Sequence, residues 1–371
     1  MTPRERWLAV FQRKKPDRLP MEHWATVEAN ERLVEYLGCK DIDEALETLH
    51  VDRVVGVGGK YVGPRLAKGK DVYGCRLREV RYATGVYEEV VYSPLAEYDS
   101  VREIRKNYEW PDPDWWDYSD VERELKGKQD LPIRAGGCWL LMYFQRLRGQ
   151  WQSYVDLVRH PDIVEYCLDE LLNIALEGTR RIYERIPGQV MMTEVAEDLG
   201  HQSGLLMPPS QIRRFVIPRV KEIIDIAHEE GAFVFHHDDG AVREILPDMI
   251  KAGIDILNPV QWRCRGMDRE GLKRDFGQAL VFHGAMDNQH TLPFGSVADV
   301  EREVGEHPNP RKGRRLHPGP LPQHTGKHPA GERGGDVQKG VRGGPEEPVE
   351  GASGGDCGLD PAWNKEGHTR R

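Results

Sequence analysis

Two imidazoles and two carboxylates stand side by side in FHHDDG, Phe235 to Gly240. An imidazole beside a carboxylate is a tunable proton donor or acceptor, and both side chains can ligate metal ions. Alternation along a strand would send His236 and Asp238 to one face and His237 and Asp239 to the other. Only one of each pair should then point into a cleft, unless the turn at Gly240 breaks the alternation. All four are candidate catalytic residues, with His236 and Asp238 as candidate metal ligands.

Other polar groups follow the same kind of β-rich run. TEVAEDLGHQ, Thr193 to Gln202, brings Glu194, Glu197, Asp198 and Gln202. Paired carboxylates can divide acid and base roles when their surroundings separate their pKa values. ILNPVQWR places Asn258 and Gln261 where uncharged amides could orient a ligand, and FHGAMDNQHTLPFG offers His283, Asp287, Asn288 and Gln289. Glu194, Asp198, Gln202, Asn258, Gln261 and Asp287 are the candidate substrate-binding residues.

These groups need a scaffold. Strand-like runs recur at Val51–Val57, Ile133–Leu141, Val190–Ala196, Ala232–Asp238, Ile254–Val260 and Ala279–Asp287. Helical stretches lie between the later ones, at Ser210–Glu230 with Ser210 as N-cap, Gly240–Ala252 and Asp268–Asp275. Strands alternating with helices predict a mostly parallel sheet, and polar residues just after each strand match a (β/α)₈ barrel. A doubly wound open sheet is the alternative; no GxGxxG follows an early strand, which weighs against dinucleotide binding. Thr2–Gln12 reads as a capped amphipathic helix with Pro3 in its first turn. GGCWLLMYFQRLRG, Gly136 to Gly149, reads as a buried strand entering an apolar helix, its glycines permitting close approach of a ligand. WPDPDWW, Trp110 to Trp116, reads as a rigid surface loop.

Composition bounds the function. The 371 residues carry a net charge of −9 with both signs mixed, so no nucleic-acid footprint is visible. There is no apolar run of about eighteen residues to span a membrane. The charged N-terminus, MTPRERWLAVFQRKKPDRLP, has no apolar signal core. Six cysteines without CxxC or CxH spacing argue against a disulfide framework and for a reducing cytoplasm.

The pattern breaks at Gly305. From there to Arg371 no Ile, Phe, Tyr or Met occurs, and Gly and Pro are dense. Such a stretch cannot bury enough apolar surface to offset ordering entropy and is expected to be disordered. The expected division is a folded unit over 1–304 and a tail over 305–371.

Taken together, several segments resemble the uroporphyrinogen decarboxylase family across roughly Met1 to Val304. They are TPRERWLAVFQRKKPDRLP, EDLGHQSGLLMPPSQIRRFVIPRVKEIIDIAHEEG, HHDDGAVREILPDMIKAGIDILNPVQ and FHGAMDNQHTLPFG. The resemblance implies a (β/α)₈ barrel with a deep cleft at the strand C-termini. It implies two chemistries. One is the cofactor-free removal of carboxylates from a tetrapyrrole, a lyase activity of porphyrin metabolism that uses an aspartate and arginines. Here PMEHWATVEANERL, Pro20 to Leu33, lacks the arginines of the family's RQAGR segment, and Asp52 lies near the catalytic aspartate in an unusual setting, VDRVVGV. The other is corrinoid-dependent methyl transfer with zinc held by an HxC pair and a later cysteine. Here HHDDG occupies the HxC place without a cysteine.

The expectation is an enzyme decarboxylating an anionic tetrapyrrole-type or related substrate. The alternatives are a corrinoid-dependent methyltransferase and a non-catalytic tetrapyrrole- or corrinoid-binding protein. Zinc or corrinoid as cofactor, a corrinoid protein as partner and a homodimer stay open with them, alongside a small-molecule substrate.

The family also implies a closing strand like YILAPCHNI, which LHPGPLPQH, Leu316 to His324, replaces. That stretch can be coded CTA CAT CCT GGC CCC TTG CCA CAA CAT A, and one base later this reads YILAPCHNI. The segment from about Gly305 is therefore expected to be an out-of-frame translation that leaves the barrel without its last strand and helix.

Overall fold

The computed structural model describes residues 1–82 and 85–306. Six parallel strands form its main sheet: β1 (Val55–Val57), β2 (Ile133–Cys138), β3 (Met192–Ala196), β4 (Phe233–His237), β5 (Ile256–Asn258) and β6 (Val281–Phe282). They lie in sequence order, and each lies within a run expected to be a strand. The chain crosses between them through helices, as a parallel ladder requires. Four of these helices are α2 (Leu140–Arg148), α3 (Pro161–Arg185), α4 (Ile217–Glu229) and α5 (Leu246–Ala252). α1 (Pro3–Phe11) precedes the sheet; α6 (Arg269–Phe276) and α7 (Val297–Glu306) come late in the described chain.

β3 and β5 are buried at every residue and β4 at all but its first. Both faces of the sheet are therefore covered, as parallel sheets demand. One face meets the helices. The other curls around an interior cluster of Met191, Met192, Phe235 and Ile256, with Val54 and Val281 packed against it. Residues beside β1 and on β6, the sheet's two edges, thus share one interior. Trp7 and Phe11 of α1 belong to the same cluster. α1 is held by a capping box in which Thr2 accepts from the Glu5 N–H and Glu5 returns the bond. β1 and β6 are not paired with each other, so among the described residues six strands, not eight, build the sheet.

Local expectations shift in instructive ways. The helix expected from Ser210 starts at Pro209, where a missing N–H costs nothing. It then passes through a π-helical segment, Ile212–Val216, before α4. Pro218 lies at the start of α4 and cannot donate to an i−4 carbonyl, which places the irregular turn there. The helix expected from Gly240 starts only at Leu246, because Gly240 has φ +87° and belongs to the turn. A Cβ on Gly240 would fall 2.4 Å from the Gly200 carbonyl carbon. The glycines of β2 let the strands approach closely: a Cβ on Gly137 would lie 1.7 Å from the Glu194 carbonyl oxygen. Of WPDPDWW, Trp116 is buried and pairs through Tyr61, so its end joins the fold.

α7 reaches Glu306, two residues past the expected boundary at Val304. From residue 307 on, the expected disordered tail, out-of-frame segment and closing strand lie outside the described residues. Among the described residues, no helix is long and apolar enough to cross a membrane. Their five cysteines are all free thiols.

Candidate active site

The turn after β4 splits its four polar side chains as the period of two demands. His236 and Asp238 are fully buried. His236 Nδ1 donates to the Val195 carbonyl at 3.0 Å, and its Nε2 faces Asp238 Oδ2 at 3.3 Å. The Leu199 N–H donates to the other Asp238 oxygen at 2.8 Å. Burial pushes the His236 pKa down to about 4 and raises the Asp238 carboxyl well above its usual range. Burial therefore favours the neutral forms of both groups. Every polar atom in it is used, so it is a brace between β3 and β4. The candidate metal ligands His236 and Asp238 thus turn their nitrogens and oxygens to protein partners.

His237 and Asp239 turn the other way and meet Asp198, which follows β3. One ligand atom from each of Asp198, His237 and Asp239 lies within 4.8 Å of the other two. Asp198 Oδ1 sits 3.8 Å from His237 Nε2, and the Asp198 side chain is 48% exposed, so the group opens to solvent. The surroundings hold these donors in place. Asn258 Oδ1 bonds His237 Nδ1 at 2.8 Å, which leaves Nε2 aimed at the carboxylates. Gln261 Nε2 donates to Asp239 Oδ1 at 2.8 Å, and Gln261 Oε1 accepts from the Gly240 N–H at 2.8 Å. Trp24 and Trp139 stack on the imidazole at 6.1 and 5.6 Å. Burial opposes charge on His237, yet Asp239, Asp198 and Glu194 raise its pKa on balance. Burial also lifts Asp239 to about 6.

One imidazole nitrogen and two carboxylate oxygens are a donor set suited to Zn²⁺, Mn²⁺ or Fe²⁺, and each inner ligand is oriented by an amide behind it. No cysteine belongs to the group. The donors therefore fit a divalent cation but not a thiolate-rich zinc site.

Behind the group, Glu197 spans the N-terminus of α2, accepting from the Leu140 and Leu141 N–H groups at 3.0 and 2.8 Å. Burial lifts its pKa to about 8 against those two bonds. Deeper in the sheet's interior, Arg134 of β2 pairs with Glu22 and Glu194 and lies over the rings of Trp24 and Phe235. Burial would raise Glu22, but Arg134 and His283 hold it down at about 2.

The remaining candidates sit in defined contacts. Glu194 is buried against Arg134, and Asn258 and Gln261 orient the cluster. Gln202 is exposed on the turn between Gly200–His201 and Gly204–Leu205, apart from the group. Asp287 accepts from the backbone of Gln289, His290 and Thr291 and pairs with Arg263, so it fixes a turn. Asp52 is tied by Arg6, Arg18 and the Met21 N–H, a buried anchor for the N-terminal segment. Glu22, Trp24 and Trp139 were not singled out as site residues by sequence. Trp139 lay in a run that reads as core, and Glu22 meets Arg134 across 112 positions. No local period marks such a contact.

A curled parallel sheet with an acid–imidazole group at the strand C-termini is the layout of an α/β barrel enzyme. The family model for uroporphyrinogen decarboxylase (URO-D) matches residues 119–317, more than half of the chain, and the chain belongs to that family. No curated protein matches it. Among solved structures it is similar to a methyltransferase from Methanosarcina mazei, with TM-score 0.55 and 17% identity, covering 82% of this chain and 89% of that one. At that identity the likeness speaks to the fold.

Proposed function

We propose that this chain is a methyltransferase-type enzyme of its family, with a divalent-cation centre at Asp198, His237 and Asp239. The observation that carries this is the clustering of those three ligand atoms within 4.8 Å. HHDDG, which contains His237 and Asp239, stands where the resemblance places the HxC pair of the methyltransferase branch. The similarity to a methyltransferase structure agrees with it. The electrostatics favour it over decarboxylation. A polycarboxylate needs cationic anchors, whereas this mouth gathers Asp198 and Asp239. The nearby Arg134 and Arg263 are already paired with Glu22, Glu194 and Asp287. An acidic site repels an anionic tetrapyrrole and attracts a cation.

In this reading a small methylated molecule binds in the cleft, and a corrinoid protein docks over the mouth. The heteroatom would keep the electron pair of the broken bond, and a Co(I) corrinoid, as co-substrate, would supply the pair for the new bond to the methyl group. A bound cation supplies Lewis acidity to that leaving heteroatom. The protein's own residues hold the donor set: Asn258 fixes the His237 tautomer, Gln261 orients Asp239, and Trp24 and Trp139 wall the imidazole.

Calorimetric titration with Zn²⁺ and Mn²⁺, followed by methyl-transfer assays with reduced cobalamin, tests the proposal. Saturable binding that is lost in Asp239→Asn, together with cobalamin methylation, is expected. Carbon dioxide release from a porphyrinogen, unaffected by chelators, would instead establish the decarboxylase reading. Spectral binding of porphyrin or cobalamin with neither turnover would establish the non-catalytic one.

A separate proposal concerns the segment from about Gly305, read as out-of-frame. Sequencing the gene across the codons for Val304 to Glu332 tests it: a one-base difference restores YILAPCHNI, and an unchanged frame removes the idea.

A further inference from the structure

A line of side chains runs from the interior to His237 through three polar contacts. Glu22 Oε2 lies 3.0 Å from His283 Nε2. His283 Nδ1 lies 2.7 Å from Asn258 Nδ2, and Asn258 Oδ1 lies 2.8 Å from His237 Nδ1. Trp7, Trp24 and Phe235 box the His283 ring at 5.5, 6.3 and 5.1 Å. Asn258 is 1% exposed and lies in the chain's middle.

The roles follow from donor and acceptor chemistry. An amide nitrogen can only donate, so His283 Nδ1 must present a lone pair to Asn258. The His283 proton is then on Nε2, which lies at ion-pair distance, 3.0 Å, from the Glu22 carboxylate. The amide oxygen can only accept, so His237 must carry its proton on Nδ1 and present Nε2 to the cleft. One amide thus sets both tautomers, and the charge on Glu22 selects its end of the chain.

We infer that Glu22, His283 and Asn258 are positioning residues that aim the Nε2 lone pair of His237 at the cation centre. This rests on the cation reading above. Glu22 lies two side chains from His237 along this line, and it also accepts from Trp24 Nε1 at 2.7 Å, whose ring stacks on His237.

The test is Co²⁺ binding, read by calorimetry and by the visible d–d spectrum of the bound ion, in the full-length chain and its variants. Wild type binding no Co²⁺, Zn²⁺ or Mn²⁺ would sink the cation reading itself. If wild type binds, Asn258→Leu should weaken binding about 10- to 100-fold and alter the spectrum, the usual size for a group supporting a metal-ligating histidine. Asn258→Asp, which still accepts from His237, should recover most of the affinity. His283→Leu should weaken binding severalfold, and His283→Asn, which keeps an acceptor facing Asn258, should restore it. Imidazole ¹⁵N shifts of the metal-free protein give a second readout: the His283 signal, identified by its loss in His283→Asn, should report the Nε2–H tautomer and should change in Asn258→Asp. Unchanged Co²⁺ affinity in both leucine variants, or an Nδ1–H tautomer at His283 in the wild type, would overturn the inference while leaving the cation site intact.

Discussion

His236 and His237 are neighbours on one strand, each two residues before an aspartate, yet they sit in opposite kinds of surroundings. His236 and Asp238 are sealed between β3 and β4, where burial removes charge from both. Each of their polar atoms has a protein partner, so the pair is complete. His237 and Asp239 sit at the mouth, where Asp239 and Asp198 favour charge on the imidazole and Nε2 has the Asp198 carboxylate at 3.8 Å. The same two residue types build a brace on one face and a binding centre on the other. What separates them is solvent access and the company of a third carboxylate.

This contrast can be broken in four ways. The largest effect is expected at the mouth. His237→Gln or Asp239→Asn should lower cation affinity by more than the 10- to 100-fold typical of supporting residues, with thermal stability hardly moved. A fall in Tm comparable to that of a core variant would show that the mouth is structural too. Next, Asp238→Ala strands the Leu199 N–H and His236 Nε2 in the interior. It should cost about 3 kcal/mol, seen as a Tm lower by roughly 5–10 °C.

The third probe uses acid. Glu22 is a buried carboxylate held ionised by Arg134 and His283, unlike Asp238. Its folded pKa of about 2 lies below the unfolded value near 4.5. Its stabilising contribution is thus complete above pH 4.5 and is lost as pH falls toward 2. Urea melts of wild type and Glu22→Gln should differ by about 3 kcal/mol at neutral pH and converge toward pH 2. A constant gap would mean the carboxylate is not ionised in the folded chain. The smallest effect belongs to Asp238→Asn. A protonated carboxyl and an amide both donate once and accept once here, so this change should cost under about 1 kcal/mol. A loss as large as that of Asp238→Ala would show that Asp238 is ionised and would undo the neutral-pair reading.

Much of the scaffold was legible in the sequence. All six β-rich runs contain strands of the sheet, and Thr2 caps α1 as its side chain and the following Pro3 suggest. The cluster was legible by halves. FHHDDG and TEVAEDLGHQ hold all three of its members, but nothing local says that Asp198 would join His237 and Asp239 while Gln202 stays on an exposed turn. Asp287 shows the converse: it looked like a ligand group, and its oxygens are used by the next turn and Arg263.

By itself the sequence determined where the strands lie and, through the period of two, that His236 and His237 must part company. Both follow from local stereochemistry, which acts between neighbours in the chain. Only the tertiary structure decided which face becomes the cleft, which carboxyls lose their charge, and that Glu22, Trp24 and Trp139 close around His237. Those outcomes depend on burial and on contacts between residues far apart in sequence. No spacing along the chain encodes such contacts until the sheet curls and brings its edges around one interior.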